Sequence, residues 1–448
     1  MGQLKKSELA LIGLMMFSIF FGAGNLIFPP ALGQLAGEAL IPAILGFLLT
    51  GVGLPLLGIV AIALQGGHYK EFIAEKIHPW FAIGLLSILY LTIGPLFAMP
   101  RTGAVSFEIG ILPFLPEENV WMGRLVYTAL FYGATFYLAL NPNKLIDRVG
   151  KLLTPLLLLF LALLFLRAFS APMGEIMAPL GNYAETPFAQ GFQDGYLTMD
   201  LLASVAIGTL VVNSVRQRGV EEKKALGRVC ILAGGIAISL MSIVYISLAY
   251  LGATSTAVLG QSDNGGRLLA DTVAIFFGST GNLLLAVIIG LACLTTSCGV
   301  TSSCADFFNR TLENRISYRG ILLLFTFFSF VASNVGLTAL ISFSVPFLVA
   351  IYPVVIVLVV LSLFDRVIGR RNDVYRYAID FTLVFSVIEG LHAAGIDIPG
   401  LNALMNQYVP FYSVMLGWLL PACLGAILGW LVAISRRKEE QPTTDQIR

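Results

Sequence analysis

The residues best suited to chemistry in this chain lie inside its first apolar run. Phe21-Gly22-Ala23-Gly24-Asn25 interrupts a hydrophobic stretch spanning 8–33, and Pro29-Pro30 follows. In a helix interior each Gly costs about 1 kcal/mol and Pro about 3 kcal/mol. Within a bilayer, non-helical backbone survives only where protein buries it or where it lines a polar cavity. The pattern therefore predicts a broken helix at mid-depth, the device by which secondary transporters present helix ends to substrate and ion. Asn25 reads as the N-cap of the second half-helix. The amides that follow offer a positive end to an anion such as a carboxylate, and carbonyls around Ser18 to Phe21 face a cation. One amino acid zwitterion satisfies both ends. Close packing of helices through small residues is the rival reading.

A second group falls at Ala292-Cys293-Leu294-Thr295-Thr296-Ser297-Cys298-Gly299-Val300-Thr301-Ser302-Ser303, with six hydroxyls in the nine residues from Thr295. Hydroxyl oxygens suit a hard cation, whereas thiolates suit soft metals. Thr295 and Thr296, opposite a broken helix, are the favoured pair; bonding back to the preceding turn is the alternative for any one of them. In the sixth apolar run, Gly195-Tyr196-Leu197-Thr198-Met199-Asp200 places a carboxylate where ionisable groups are costly and functional by default. Thr198 can cap a second break. Asp200 can sense a proton, hold an ammonium group or lock helices together. In the third run, Pro95 and Pro100 bend the helix, and Arg101 reads as an outer gate paired with an acidic neighbour. Glu389 reads as a structural pair or an oligomer contact.

These groups need long helices to position them. Of the 448 residues, 57% are hydrophobic and 12% charged, half the charge of a soluble domain. Twelve apolar runs, 8–33, 39–65, 80–106, 119–140, 144–169, 190–214, 225–252, 281–309, 318–334, 338–364, 375–395 and 409–435, match the ~20 residues that cross a ~30 Å hydrocarbon core. The expectation is an all-α membrane protein of about 12 transmembrane helices, with 265–279 a short external helix. With the N-terminus placed inside, only Arg101, Arg124, Arg167 and Arg267 of the 27 Lys and Arg fall outside. The alternation also sets 141–151 and the tail 436–448 on the cytoplasmic side. Runs 1–5 (8–169) and 6–10 (190–364) each open on an interrupted helix, and an odd repeat length inverts the second copy. Runs 11 and 12 (375–435) are accessory. No basic tract suits nucleic acid. The five cysteines read as small buried hydrophobes. The three histidines are scattered, and His392 has no evident partner.

Phe17-Ser18-Ile19-Phe20-Phe21-Gly22-Ala23-Gly24-Asn25-Leu26-Ile27-Phe28-Pro29-Pro30 resembles the signature of the bacterial branched-chain amino acid:cation symporter (BrnQ-type, LIVCS) family. Gly94-Pro95-Leu96-Phe97-Ala98-Met99-Pro100-Arg101-Thr102, Gly195 to Asp200 and Leu294-Thr295-Thr296-Ser297 extend the likeness along the chain. The resemblance implies symport of leucine, isoleucine and valine with sodium across the bacterial inner membrane, on the LeuT-type 5+5 inverted-repeat core of the amino acid–polyamine–cation superfamily. It places sodium at the carbonyls of Ser18, Phe21 and Ala292 and the hydroxyls of Thr295 and Thr296. It places substrate against Gly22, Ala23, Gly24, Asn25 and the break bearing Tyr196 and Thr198, with Val300 facing the side-chain pocket. Arg101 and Asp200 remain candidates for gating or coupling. Proton coupling is an alternative, as, further off, are a channel or an intramembrane enzyme; neither HExxH nor GxSxG occurs.

Overall fold

The computed structural model describes residues 5–140 and 145–439. The expected inner loop 141–151 and tail 436–448 fall partly outside these residues. In chain order the helices are α1 (Lys6–Phe20), α2 (Ala23–Ala36), α3 (Leu40–Leu48), α4 (Leu54–Leu64), α5 (Tyr69–Lys76), α6 (Pro79–Leu91), α7 (Ala98–Gly110), α8 (Val120–Ala139) and α9 (Leu145–Ser170). They continue as α10 (Pro187–Asp194), α11 (Asp200–Arg216), α12 (Lys223–Leu259), α13 (Gly265–Thr311), α14 (Tyr318–Ser333), α15 (Leu337–Leu363), α16 (Asn372–Ala393), α17 (Leu401–Tyr408) and α18 (Leu419–Glu439). No strand occurs among the described residues.

Helices occupy all twelve apolar runs. Among the described residues six stretches are long and apolar enough to cross a membrane: Ala23–Leu64, Pro79–Phe114, Lys223–Leu259, Gly265–Thr311, Leu337–Leu363 and Leu419–Arg436. The bent pair Pro187–Thr198 and Asp200–Arg216 makes a seventh. The remaining runs are helical but shorter or diluted by polar side chains, such as Arg124 in α8 and Asp380 in α16. Pro29 and Pro30 lie inside α2; they cost the carbonyls of Asn25 and Leu26 their helical donors. Two boundaries differ from expectation. The eighth helix begins at Gly265, capped by the Asn264 side chain, and only a non-helical Gly278 separates the expected short helix from the span. The last helix begins at Leu419, because Phe411 and Met415 take left-handed conformations before it.

The chain divides into two compact units. The first comprises residues 1–55, 87–207 and 231–344. There α2 and α12 approach through glycines: a Cβ on Gly33 would lie 1.8 Å from the Ala249 carbonyl oxygen, and one on Gly252 would lie 2.0 Å from that of Pro30. Small residues permit such backbone proximity where lipid supplies no hydrophobic drive. The second unit comprises 56–86, 208–230 and 345–448. It holds a buried ion pair, Lys76 Nζ to Asp365 Oδ1 at 3.0 Å, which Tyr375 joins through Asp365 at 3.0 Å. Glu389 is buried and accepts the Gly417 amide at 2.6 Å. His392, contrary to expectation, has partners: its Nδ1 lies 2.7 Å from Asp397 in a cluster with Asn402. Four cysteines are buried, but Cys423 is exposed on α18 beside Leu424.

Candidate functional site

The first helix breaks where the glycines predict. α1 ends at Phe20; the Phe21 amide closes its last turn on the Phe17 carbonyl at 2.8 Å, and Phe21 itself is extended. Asn25, however, is not the N-cap. Gly22 occupies that position, and Asn25 sits at the third helical residue, where its Oδ1 accepts the Gly22 amide at 2.9 Å. A carboxamide is long enough to reach back one turn, so α2 starts three residues earlier than a capping Asn25 implies. This frees the other end of Asn25. Its Nδ2 donates to Asp200 Oδ2 at 2.7 Å and to the Tyr245 hydroxyl, which in turn donates to Asp200 at 3.4 Å. All three groups are buried. Of the roles open to Asp200, joining α2, α11 and α12 is thus visible directly.

The second break is sharper than the sequence suggests. After α10 a tight turn spans Gly195–Thr198, Met199 adopts the left-handed region (φ 61°), and α11 resumes at Asp200. The two halves are bent by 42°. Thr198 donates to the Gly195 carbonyl at 2.9 Å and accepts the Asp200 amide at 3.3 Å, serving as the expected cap. The turn is seated on the end of α3 and the turn Leu49–Gly53 that follows it: a Cβ on Gly195 would lie 3.0 Å from the Phe47 carbonyl oxygen and 1.9 Å from Thr50 Oγ1, which donates to the Phe192 carbonyl at 2.7 Å. Tyr196 is buried, its ring edge-on to Phe192.

Arg101 does not pair with an acidic neighbour. It is buried on α7, where Nη1 donates to the Leu197 carbonyl at 2.6 Å and Nη2 to Ser344 Oγ at 3.2 Å. Its guanidinium lies over the Phe28 ring at 4.9 Å. The kink over Thr92–Leu96, with Gly94 non-helical and Pro95 unable to donate, sets the direction of α7. Arg101 therefore links the first helix's second half to the second break instead of standing at an outer surface.

On α13 three oxygens gather. Thr295 Oγ1 and Thr296 Oγ1 donate to the Ala292 carbonyl at 2.9 and 3.0 Å. Bonding back is thus real, but a hydroxyl that donates its hydrogen still presents lone pairs to a cation. Thr296 faces the first break: its Cγ2 would lie 3.6 Å from a Cβ on Gly22. Ser18 is exposed on the last turn of α1, Phe21 and Ala23 are buried, and Val300 is half-buried one turn beyond Thr296. Among the described residues no three His, Cys, Asp or Glu converge as metal ligands. The groups brought together are thus Gly22 with Thr296, Asn25 with Asp200, and Gly24 with Arg101, whose Nη1 lies 3.5 Å from a Cβ on Gly24. Two members were missed. Tyr245 stands in an ordinary apolar run, and Met199 is a residue type that signals no turn.

Two interrupted helices facing one another, tied by buried polar groups, define a membrane transporter of broken-helix design. The fold agrees. Mhp1, a nucleobase-cation-symport-1 family transporter solved closed with bromovinylhydantoin, superposes with a TM-score of 0.54 at 14% identity, over 98% of this chain and 94% of that one. A mutant manganese transporter from Eremococcus coleocola gives 0.55 at 14% identity over 96% of each. The architecture is the LeuT type. The chain belongs to the family described as branched-chain amino acid transport protein, which it matches over residues 5–436. It is 47% identical to the branched-chain amino acid permease BraB of Bacillus subtilis over 95% of both chains. It is 43% identical to the branched-chain amino acid transport system 2 carrier protein of Pseudomonas aeruginosa over 96% of both. Its relatives are named as permeases and carriers, not enzymes.

Asn25→Ala is expected to destabilise the protein by ~3 kcal/mol, because it leaves a buried carboxylate short of its donor. Tyr245→Phe, which keeps the Asn25–Asp200 bond, is expected to cost ~1 kcal/mol. Thermal unfolding in detergent checks the order; equal midpoints for the two variants would show that the node carries no special weight.

Proposed function

We propose that this chain imports leucine, isoleucine and valine by sodium symport with alternating access. Family membership supports the substrate class. The observation that carries the mechanism is the contact of Thr296 with the first break at Gly22. We take the hydroxyl and carbonyl oxygens of α13 that adjoin this methyl contact to serve the carbonyl end of α1 and the amide end of α2. On this reading sodium binds to the carbonyls of Ser18, Phe21 and Ala292 and the hydroxyls of Thr295 and Thr296. It steadies the end of α1 and completes the substrate site at Gly22 to Asn25. The amino acid's carboxylate takes the first-turn amides of α2, and its ammonium turns toward the second break and Asp200. Val300 walls the side-chain pocket. The inverted halves 8–169 and 190–364 then rock about this centre in the cytoplasmic membrane of a bacterium, with both termini inside.

The energetics suffice. One charge moving through ~100 mV supplies ~2.3 kcal/mol, almost a 50-fold concentration ratio. An apolar pocket separates side chains that differ by one methylene by only ~1–3 kcal/mol. Leucine, isoleucine and valine should therefore compete. A buried carboxylate between the two breaks, Asp200, favours proton coupling as the second reading.

Uptake of labelled leucine into proteoliposomes, with sodium, proton and voltage gradients imposed one at a time, separates the two. Sodium coupling predicts accumulation under an inward sodium gradient alone; uptake that persists without sodium and collapses with a protonophore would establish the proton instead. Thr296→Ala is expected to raise the sodium concentration for half-maximal uptake by ~10-fold or more, equivalent to ~1.4 kcal/mol, with insertion unchanged. An unaltered sodium requirement would remove Thr296 from the ion site.

A further inference from the structure

Arg101 is a cation buried beside neutral groups. Among the described residues it enters no ion pair, and it is 3% exposed. Its two direct hydrogen bonds go to neutral oxygens, those of Leu197 and Ser344, and Nε has no partner. Arginine keeps its charge in such places and offers five donors in a fixed fork. Leaving a buried charge uncompensated costs several kcal/mol. The anion that completes it must therefore come from outside the protein's own side chains.

Position identifies that anion. Nη1 lies 3.5 Å from where a Cβ on Gly24 would be. Gly24 is the second residue of α2, in the turn whose amides lack helical acceptors. The Phe28 ring, one turn on, lies 4.9 Å from the guanidinium and 3.1 Å from the same Cβ position. A helix N-terminus and an incompletely bonded guanidinium thus converge beside one glycine, whose missing side chain lets them approach. A carboxylate suits both: its two oxygens match the arginine fork and carry the charge that the helix end favours.

We propose that Arg101 is the cation that recognises the α-carboxylate of the transported amino acid. This assigns it to substrate selection rather than to gating, and it rests on the amino acid reading of the site. The same Arg–Leu197 bond ties the carboxylate subsite to the second break, so occupation of one is felt at the other. Amino acids with a free carboxylate should be ligands, while their amides and alcohols should not.

The test is ligand-dependent thermal stabilisation of the purified full-length protein, titrated with leucine, leucinamide and leucinol at saturating sodium. Wild type should prefer leucine strongly. Arg101→Gln should weaken leucine by ~10- to 100-fold, the loss expected for a charged hydrogen bond. It should leave leucinamide and leucinol nearly unchanged, so the preference collapses. Arg101→Lys should retain part of the preference, because it keeps the charge and loses the fork. If the Gln variant does not fold, the Lys variant decides alone: a loss confined to leucine supports the proposal, and equal losses for all three ligands overturn it. A Gln variant that keeps the wild-type preference, whatever its absolute affinity, makes Arg101 a clamp or gate and overturns it as well. Wild type that binds leucine while either result appears leaves the amino acid reading standing; wild type that binds none of the three removes that reading and this proposal together.

Discussion

An unpaired main-chain group in hydrocarbon costs several kcal/mol, and this structure is organised around the place where that cost is accepted. The first helix stops at Phe20 and restarts at Ala23. What makes the gap tolerable is a single side chain: Asn25 returns to satisfy the Gly22 amide and sends its amide nitrogen to Asp200 and Tyr245. One end of the carboxamide completes local structure, while the other joins α2 to α11 and α12. The break is thereby tied to α11 and α12 through buried side chains.

The second break follows the same logic with different parts. Met199 bears the left-handed turn. Thr198 caps the helix that follows, and Gly195 lets the turn sit directly on α3. Strain in a non-glycine residue persists only where its surroundings over-determine it; here Asp200 anchors the following helix to the first break. The two interruptions are one construction, with Arg101 bridging them through Leu197 from the opposite side to Asn25. Each buried ionisable side chain in it, Arg101 and Asp200, is bonded to neutral protein groups.

Much of this could be read from residue types, and the failures have physical causes. Gly22, Gly24 and Asn25 stand out because nothing else in an apolar run explains them. Pro29 and Pro30 sit inside α2, where close-packed neighbours at Ala249 and Gly252 accompany the lost donors. Asp200 is conspicuous by cost, but Tyr245, 45 residues away, is an ordinary aromatic until the fold brings it to the carboxylate. Arg101 was assigned by charge counting to an outer surface, because counting cannot see that a side chain five residues past the kink at Thr92–Leu96 turns inward. Lys76, between the second and third apolar runs, is likewise buried and paired with Asp365 in the second unit. Counting charges by loop does not see such buried pairs.

The central claim is that the gap after Phe20 is where substrate sits. Gly24 tests it, since an added Cβ there would come within 3.1 Å of Phe28 and 3.5 Å of Arg101, and a larger side chain must displace these groups beside the break. The direct measurement is equilibrium binding of labelled leucine to purified Gly24→Leu protein that still unfolds cooperatively. The account predicts loss of saturable binding. Wild-type affinity in that variant would contradict it.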